Sequence, residues 1–197
     1  MLQEELLIES KNLDTFIKFA QGVITKNSSP SILISQLTQP FTDLLSEDFI
    51  PKYFMKETHN TFAQYLIYRS FSPEFSLMAM LVPPGVSTPV HDHLAWGLVG
   101  VYQGEQEETI YTSTRKSSSS GITPTGTNLL EKGTITVIVP PNNDIHMIKT
   151  ISSVPSISLH LLGNDIGCKH RHTYDPINGT PTSFRSGYVN AACDQPV

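Results

Sequence analysis

The chain has 197 residues and a formal net charge of −5, with 39% hydrophobic and 16% charged residues. An acidic balance with scattered Lys and Arg excludes the basic footprint of a nucleic-acid or anionic-membrane binder, which leaves a small molecule as the expected partner. No apolar run approaches the ~18 residues of a membrane helix, and Glu4 and Glu5 stand where a secretory leader carries basic residues, so a soluble, cytoplasmic protein is expected.

The length suits one domain over 1–197, mainly helical in 1–50 and a β-barrel over 60–185. Leu13, Phe16, Ile17 and Ala20 recur at helical spacing and predict an amphipathic helix over 12–21, with Gly22 as its stop. Ser29-Pro30 reads as the start of a second helix carrying Ile32, Leu33 and Leu37, which Pro40 is expected to end. From about Phe75 short apolar or alternating runs, among them FSLMAML, GTITVIVP and SISLHLLG, are divided by Gly, Pro and Asn, the pattern of a sandwich or barrel. Residues 112–128, rich in Ser, Thr, Gly and Pro, read as a mobile hairpin loop. Cys168 and Cys193 lack CxxC spacing and make neither a zinc site nor a disulfide scaffold; both are expected to be free thiols.

The segment TPVHDHLAWG carries the chemistry. Side chains alternate across a strand, so His91 and His93 point to one face and Asp92 to the other. A later strand, Gly133 onward, leads through Pro140-Pro141 to Asn143, Asp144 and His146, a third imidazole from a separate element. A bare His-x-His is more often two partly exposed residues with no shared task. Here Gly85, Gly97 and Gly104 punctuate it and a Pro-x-Asn-x-x-His turn follows, and together these resemble the two cupin motifs in order and spacing. The resemblance implies an all-β cupin double-stranded β-helix, a jelly-roll barrel with an N-terminal α-helical segment, in which His91, His93 and His146 bind one metal ion. The glutamate that cupins often carry after the second histidine is absent, with Trp96-Gly97-Leu98 in its place. Three neutral imidazoles leave a divalent ion its full charge and open positions, which favours an anionic ligand such as a thiolate together with oxygen.

Residues 64–111 and the block SISLHLLGNDIGCKHRHTYDP, together about half the chain, resemble the bacterial thiol dioxygenases, on the 3-mercaptopropionate branch. That family implies Fe(II) as cofactor and a small thiol and O2 as reactants, giving a sulfinate. It places Arg171 and Gln64 at the substrate carboxylate and a Ser-x-His pair, Ser158 and His160, beside the metal; Trp96 reads as core or pocket wall, and Leu162 as a residue that shapes the substrate pocket. Gly97 falls where some cysteine dioxygenases carry a cysteine crosslinked to tyrosine, so no crosslink is expected. The family's Ser-x-His-x-Tyr run ends here in Leu162. Loss of that hydroxyl lowers the rate, or rebuilds the pocket for a more apolar substrate, or is met by Tyr65, Tyr68 or Tyr174 reaching in. A metal cupin of other oxygenase or lyase chemistry, or a non-enzymatic ligand-binding cupin, remains the alternative. His59, His170 and His172 read as structural or solvent-exposed.

Overall fold

The computed structural model describes residues 4–56, 60–72, 74–116 and 119–193. Ser10 caps helix α1 (Lys11–Lys26) by accepting the Leu13 N–H, and Leu13, Phe16, Ile17, Ala20 and Val23 form its buried face. Helix α2 (Pro30–Ser46) opens on proline, whose missing N–H would be unpaired in a first turn anyway. Both helices run past the stops expected from sequence. Gly22 lies inside α1 with open space where a Cβ would stand, so it costs only about 1 kcal/mol of helix propensity, and Val23 is buried just beyond it. Pro40 lies inside α2, and Phe41, Leu44 and Leu45 are buried after it. Burying each of those gives about 1.5–3 kcal/mol, against roughly 3 kcal/mol for an interior proline.

The helices cover one face of a six-stranded sheet in the order β1-β2-β3-β10-β5-β8, formed by β1 (Glu5–Leu6), β2 (Ala63–Phe71), β3 (Glu74–Val82), β5 (Gly97–Gln103), β8 (Ile135–Ile138) and β10 (Ser156–Leu162). A second six-stranded sheet runs β12-β11-β4-β9-β6-β7, from β4 (Val90–His91), β6 (Gln106–Lys116), β7 (Ser119–Leu130), β9 (Ile145–Thr150), β11 (Arg171–Tyr174) and β12 (Pro181–Phe184). All pairings among the described residues are antiparallel, and the two sheets form a double-stranded β-helix.

Strand β10 shows how the layers place the site. Leu159 and Leu161 join the helix-side core, while Leu162 on the alternate face joins a barrel-side cluster with Met78, Val99, Ile138 and Ile166. The whole strand is buried, and Ser158 and His160 share the Leu162 face. Gly100 of β5 lets α2 come close, because a Cβ there would stand 2.2 Å from Leu45 Cδ1.

Two further expectations are corrected. Residues 112–128 belong to the β6–β7 pair, whose rungs run from Gln106↔Leu130 to Lys116↔Ser119. Strand β7 is the margin of its sheet and largely exposed, so it needs no apolar alternation, and its threonines are good strand formers. Cys168 and Cys193 are joined as a disulfide rather than free, because the C-terminal segment folds back along β2 and brings the two Cα atoms to 5.1 Å. His59 lies outside the described residues. No helix among the described residues is long and apolar enough to cross a membrane.

Candidate metal centre

His91 ends β4 and pairs directly with His146 of β9, so an antiparallel rung sets two imidazoles side by side. His93 follows the strand rather than lying in it, yet its ring joins them: the three ring centroids stand 4.8 to 5.0 Å apart. All three histidines are buried and their ligand nitrogens lie within 4.8 Å of one another. Each Nδ1 is committed outward. That of His91 bonds the Pro89 carbonyl at 2.9 Å, that of His93 the Asp144 carbonyl at 3.1 Å, and that of His146 Glu108 Oε1 at 2.8 Å. Donation from Nδ1 fixes the tautomer in which Nε2 carries the free lone pair. His146 Nε2 is buried with no hydrogen-bond partner, and this donor set fits a metal ion.

Burial, reinforced by the neighbouring imidazoles, holds His91 well below the ordinary histidine pKa; burial lowers His93 to about 4. Both are therefore neutral near pH 7, the protonation state that ligates. Burial opposes ionisation of Glu108 and Asp144, but hydrogen bonds from His146 and from His93 outweigh it and both carboxyls are lowered.

Asp144 Oδ1 accepts the His93 N–H at 2.9 Å and the Leu94 N–H at 3.3 Å, closing the turn in which Leu94 adopts φ 57°. Asp92, pointing away from the metal site, accepts at Oδ1 from the His172 N–H at 2.7 Å and at Oδ2 from His172 Nδ1 at 2.8 Å and the Tyr174 hydroxyl at 2.9 Å. The residue between His91 and His93 thereby fastens them to β11, which begins at Arg171.

Arg171 is buried and burial lowers its pKa to about 10, which still leaves a cation at neutral pH. Its guanidinium lies 4.4 Å from the Phe184 ring centroid, and its Nη atoms donate to the Asp92 carbonyl at 3.0 Å and Ser186 Oγ at 3.2 Å. Arg171, Gln64 and His91 line one small cavity of about 10 Å³, near the room for a single water. Arg171 Nε and Gln64 Oε1 are buried without partners. A second cavity of about 220 Å³ reaches His146 from the side of Glu108, Asn128 and Ile138. A larger one of about 360 Å³ lies between the helices, against Phe16, Phe19 and Pro40, and holds no histidine.

Ser158 Oγ and His160 Nε2 are 2.9 Å apart, and His160 Nδ1 has no partner. Burial first, then His93, His146 and Arg171 nearby, hold His160 well below the ordinary pKa. Leu162 faces Gly97 across β5, where a Cβ on the glycine would stand 2.5 Å from Leu162 Cδ2. Trp96 lies away from the Arg171 cavity, packed on the helix-side core and over Gly163. None of the three tyrosines considered above leaves its hydroxyl free. Tyr65 bonds the Lys56 backbone, Tyr68 bonds Glu4 and Gln21, and Tyr174 bonds Asp92. His172 is thus a structural partner of Asp92, while exposed His170 meets Ser183.

Sequence reasoning missed Glu108, Asp144, Asp92 and Tyr188. Asp92 and Asp144 adjoin ligand motifs and were open to notice. Glu108 sits in a polar run, QGEQEET, where nothing separates it from its neighbours, and Tyr188 packs beside the Leu162 cluster from a segment with no strand pattern.

No family model matches the chain. Similar solved structures include an uncharacterised protein with a double-stranded β-helix domain from Klebsiella pneumoniae, 14% identical over 61% of this chain and 95% of that one, with a TM-score of 0.44. A cupin superfamily protein from Desulfitobacterium hafniense is 15% identical over 60% of this chain and 93% of that one, TM-score 0.42. Oxalate oxidase in complex with glycolate is 17% identical over 60% and 63%, TM-score 0.41. All are partial likenesses.

Proposed function

We propose that the protein is a mononuclear non-haem iron(II) dioxygenase that converts the thiol of a small organic acid to a sulfinate. The observation that carries this reading is a metal-fitting cluster of three buried histidines, with no carboxylate in the cluster, sharing a wall with a buried arginine. When bound, iron(II) would supply the redox chemistry by which RSH and O2 give RSO2H.

The chain's own residues bind and orient. His91, His93 and His146 would hold the metal, with their Nδ1 donors fixing ring orientation. Arg171 Nε–H, a buried donor without a partner, supplies a polar contact for a carboxylate in a site where burial strengthens it, and Gln64 lines the same cavity. His160 and Ser158 form a neutral donor–acceptor pair that shares one proton at Nε2 or Oγ. Phe62, Met80 and Phe184 line the same cavity and exclude water.

The test is anaerobic loading with iron(II), then oxygen-electrode traces with 3-mercaptopropionate, cysteine, cysteamine and mercaptosuccinate, and mass spectrometry of the product. Oxygen uptake with a product two oxygen atoms heavier is the expected result. Tight iron binding without uptake on any of these thiols overturns it.

Leu162 favours a second reading, a metal cupin of other oxygenase or lyase chemistry. It fills an apolar cluster, and the hydroxyls of Tyr65, Tyr68 and Tyr174 are committed elsewhere. Leu162→Tyr separates the two: a gain in thiol oxidation marks a weakened thiol dioxygenase, and no gain marks divergence.

A further inference from the structure

Residues 186–193, after β12, carry little secondary structure, yet they are tied down at several points. Residues 186–193 run as a strap from Arg171 along β2. Ser186 accepts from Arg171, and the Val189 N–H donates to the Gln64 carbonyl at 2.9 Å. The Asn190 side chain takes the Leu66 N–H and donates to the Leu66 carbonyl, both at 2.9 Å. Tyr188 is tied to Asp165 at 2.7 Å and to the Gly167 N–H at 3.0 Å. The strap therefore holds two residues of the closed Arg171 cavity, Gln64 through its backbone and Arg171 through its guanidinium. Its far end is fixed by one covalent bond, Cys168–Cys193.

That bond is placed to be broken. Both cysteines are partly exposed rather than buried. Arg69 Nη1 lies 3.7 Å from Cys168 Sγ, and a guanidinium at that position stabilises the Cys168 thiolate. Arg69 is itself buried, anchored on Asp165 at 3.2 Å, and it donates to the Ala192 carbonyl of the strap at 3.0 Å. A disulfide is cleaved fastest when the departing sulfur is the better-stabilised thiolate.

We propose that Cys168–Cys193 is a thiol–disulfide exchange site for small thiols, and that its reduction frees the strap and opens the Arg171 cavity. An incoming thiolate attacks Cys193 Sγ; the S–S bond breaks, and Cys168 leaves as a thiolate beside Arg69. A second small thiol attacks the mixed disulfide at its own sulfur and releases Cys193. Two small thiols are oxidised to one small disulfide, and the protein disulfide is reduced to two thiols. Once uncoupled, the strap keeps Tyr188 packed on the Leu162 cluster, and its Val189–Asn190 stretch is left on a few hydrogen bonds to β2 outside any strand pairing, the kind of segment that opens locally. The device is independent of the chemistry at the metal.

Hydrogen exchange followed by mass spectrometry on the full chain, with and without a phosphine reductant, tests the strap. Reduction is expected to speed exchange at Leu66 and Val189 about tenfold or more while β10 is unchanged. The Cys168→Ser/Cys193→Ser double variant is expected to behave like the reduced protein and not to respond to the reductant. Unchanged exchange at Leu66 and Val189 on reduction of the wild-type protein overturns the gate, whether or not the variant folds. For the exchange site, brief treatment with millimolar cysteine followed by alkylation and peptide mapping is expected to find the mixed disulfide on the Cys193 peptide. An adduct on Cys168, or a bond that the phosphine reduces and cysteine leaves intact, overturns it.

Discussion

Glu108 shows what a single buried residue contributes to a candidate metal centre through one of its histidines. Its Oε1 takes the His146 Nδ1 proton at 2.8 Å, and Asn128 bonds its other oxygen at 3.2 Å. Glu108→Ala leaves that imidazole free to rotate and less basic, and such losses cost roughly 10- to 100-fold in metal affinity. Competition titration with a chromogenic chelator is expected to find a loss of that size, and an unchanged affinity would remove Glu108 from the site. Leu94 makes the opposite case, a residue held in an unfavourable conformation. It is 52% exposed at φ 57°, fixed by its N–H bonds to Asp144. A left-handed non-glycine residue costs about 1–2 kcal/mol, partly offset by the chain entropy that glycine would lose. Leu94→Gly is therefore expected to raise the melting temperature by about 2–4 °C. No gain would mean that the leucine side chain has contacts of its own.

Helix α2 carries its penalty in the sequence and its compensation in the packing. An interior proline clashes with the preceding turn and removes a hydrogen bond, so Pro40 by local propensity marks a helix stop. The burial of Phe41, Leu44 and Leu45 against the sheet outweighs it, and that burial is visible only when the sheet is in place. Pro40→Ala is expected to stabilise the protein by about 1–3 kcal/mol in chemical denaturation, because the helix survives unchanged and gains a hydrogen bond. A loss of stability would mean that Pro40 shapes the packing of α1 on α2. The β6–β7 pair follows the same logic with the sign reversed. An exposed marginal strand has no apolar face, so Ser- and Thr-rich residues carry no periodic signal even where eleven rungs of pairing hold them. In β10, by contrast, apolar residues on the helix side and Ser158 and His160 on the barrel side both lay open in the alternation.

At the scale of the whole molecule the site is a store of suppressed charge. In the metal-free protein His93, lowered to about 4, and His160, also lowered, are neutral when folded and take up protons near pH 6.5 when unfolded. Between those values the unfolded chain binds more protons, so stability falls as pH drops through about 6.5 toward 4 and is retained above that window. His93 alone corresponds to roughly 3 kcal/mol. Melting curves of chelator-treated protein at about pH 7.5 and about pH 5 are expected to show a marked loss at the lower pH, and metal is expected to oppose it. Equal stability at the two values would mean that these imidazoles are already protonated in the fold. The sequence by itself determined the barrel, the helical N-terminal segment and the three histidines, because strand alternation, helical spacing and glycine punctuation are local patterns. Only the tertiary structure decided that Glu108 and Asp144 orient the imidazoles, that Asp92 joins the histidine pair to Arg171, and that Cys168 meets Cys193. Those partners lie far apart in the chain, and their pairing follows from strand register and from the path of the C-terminal strap, which no local pattern encodes.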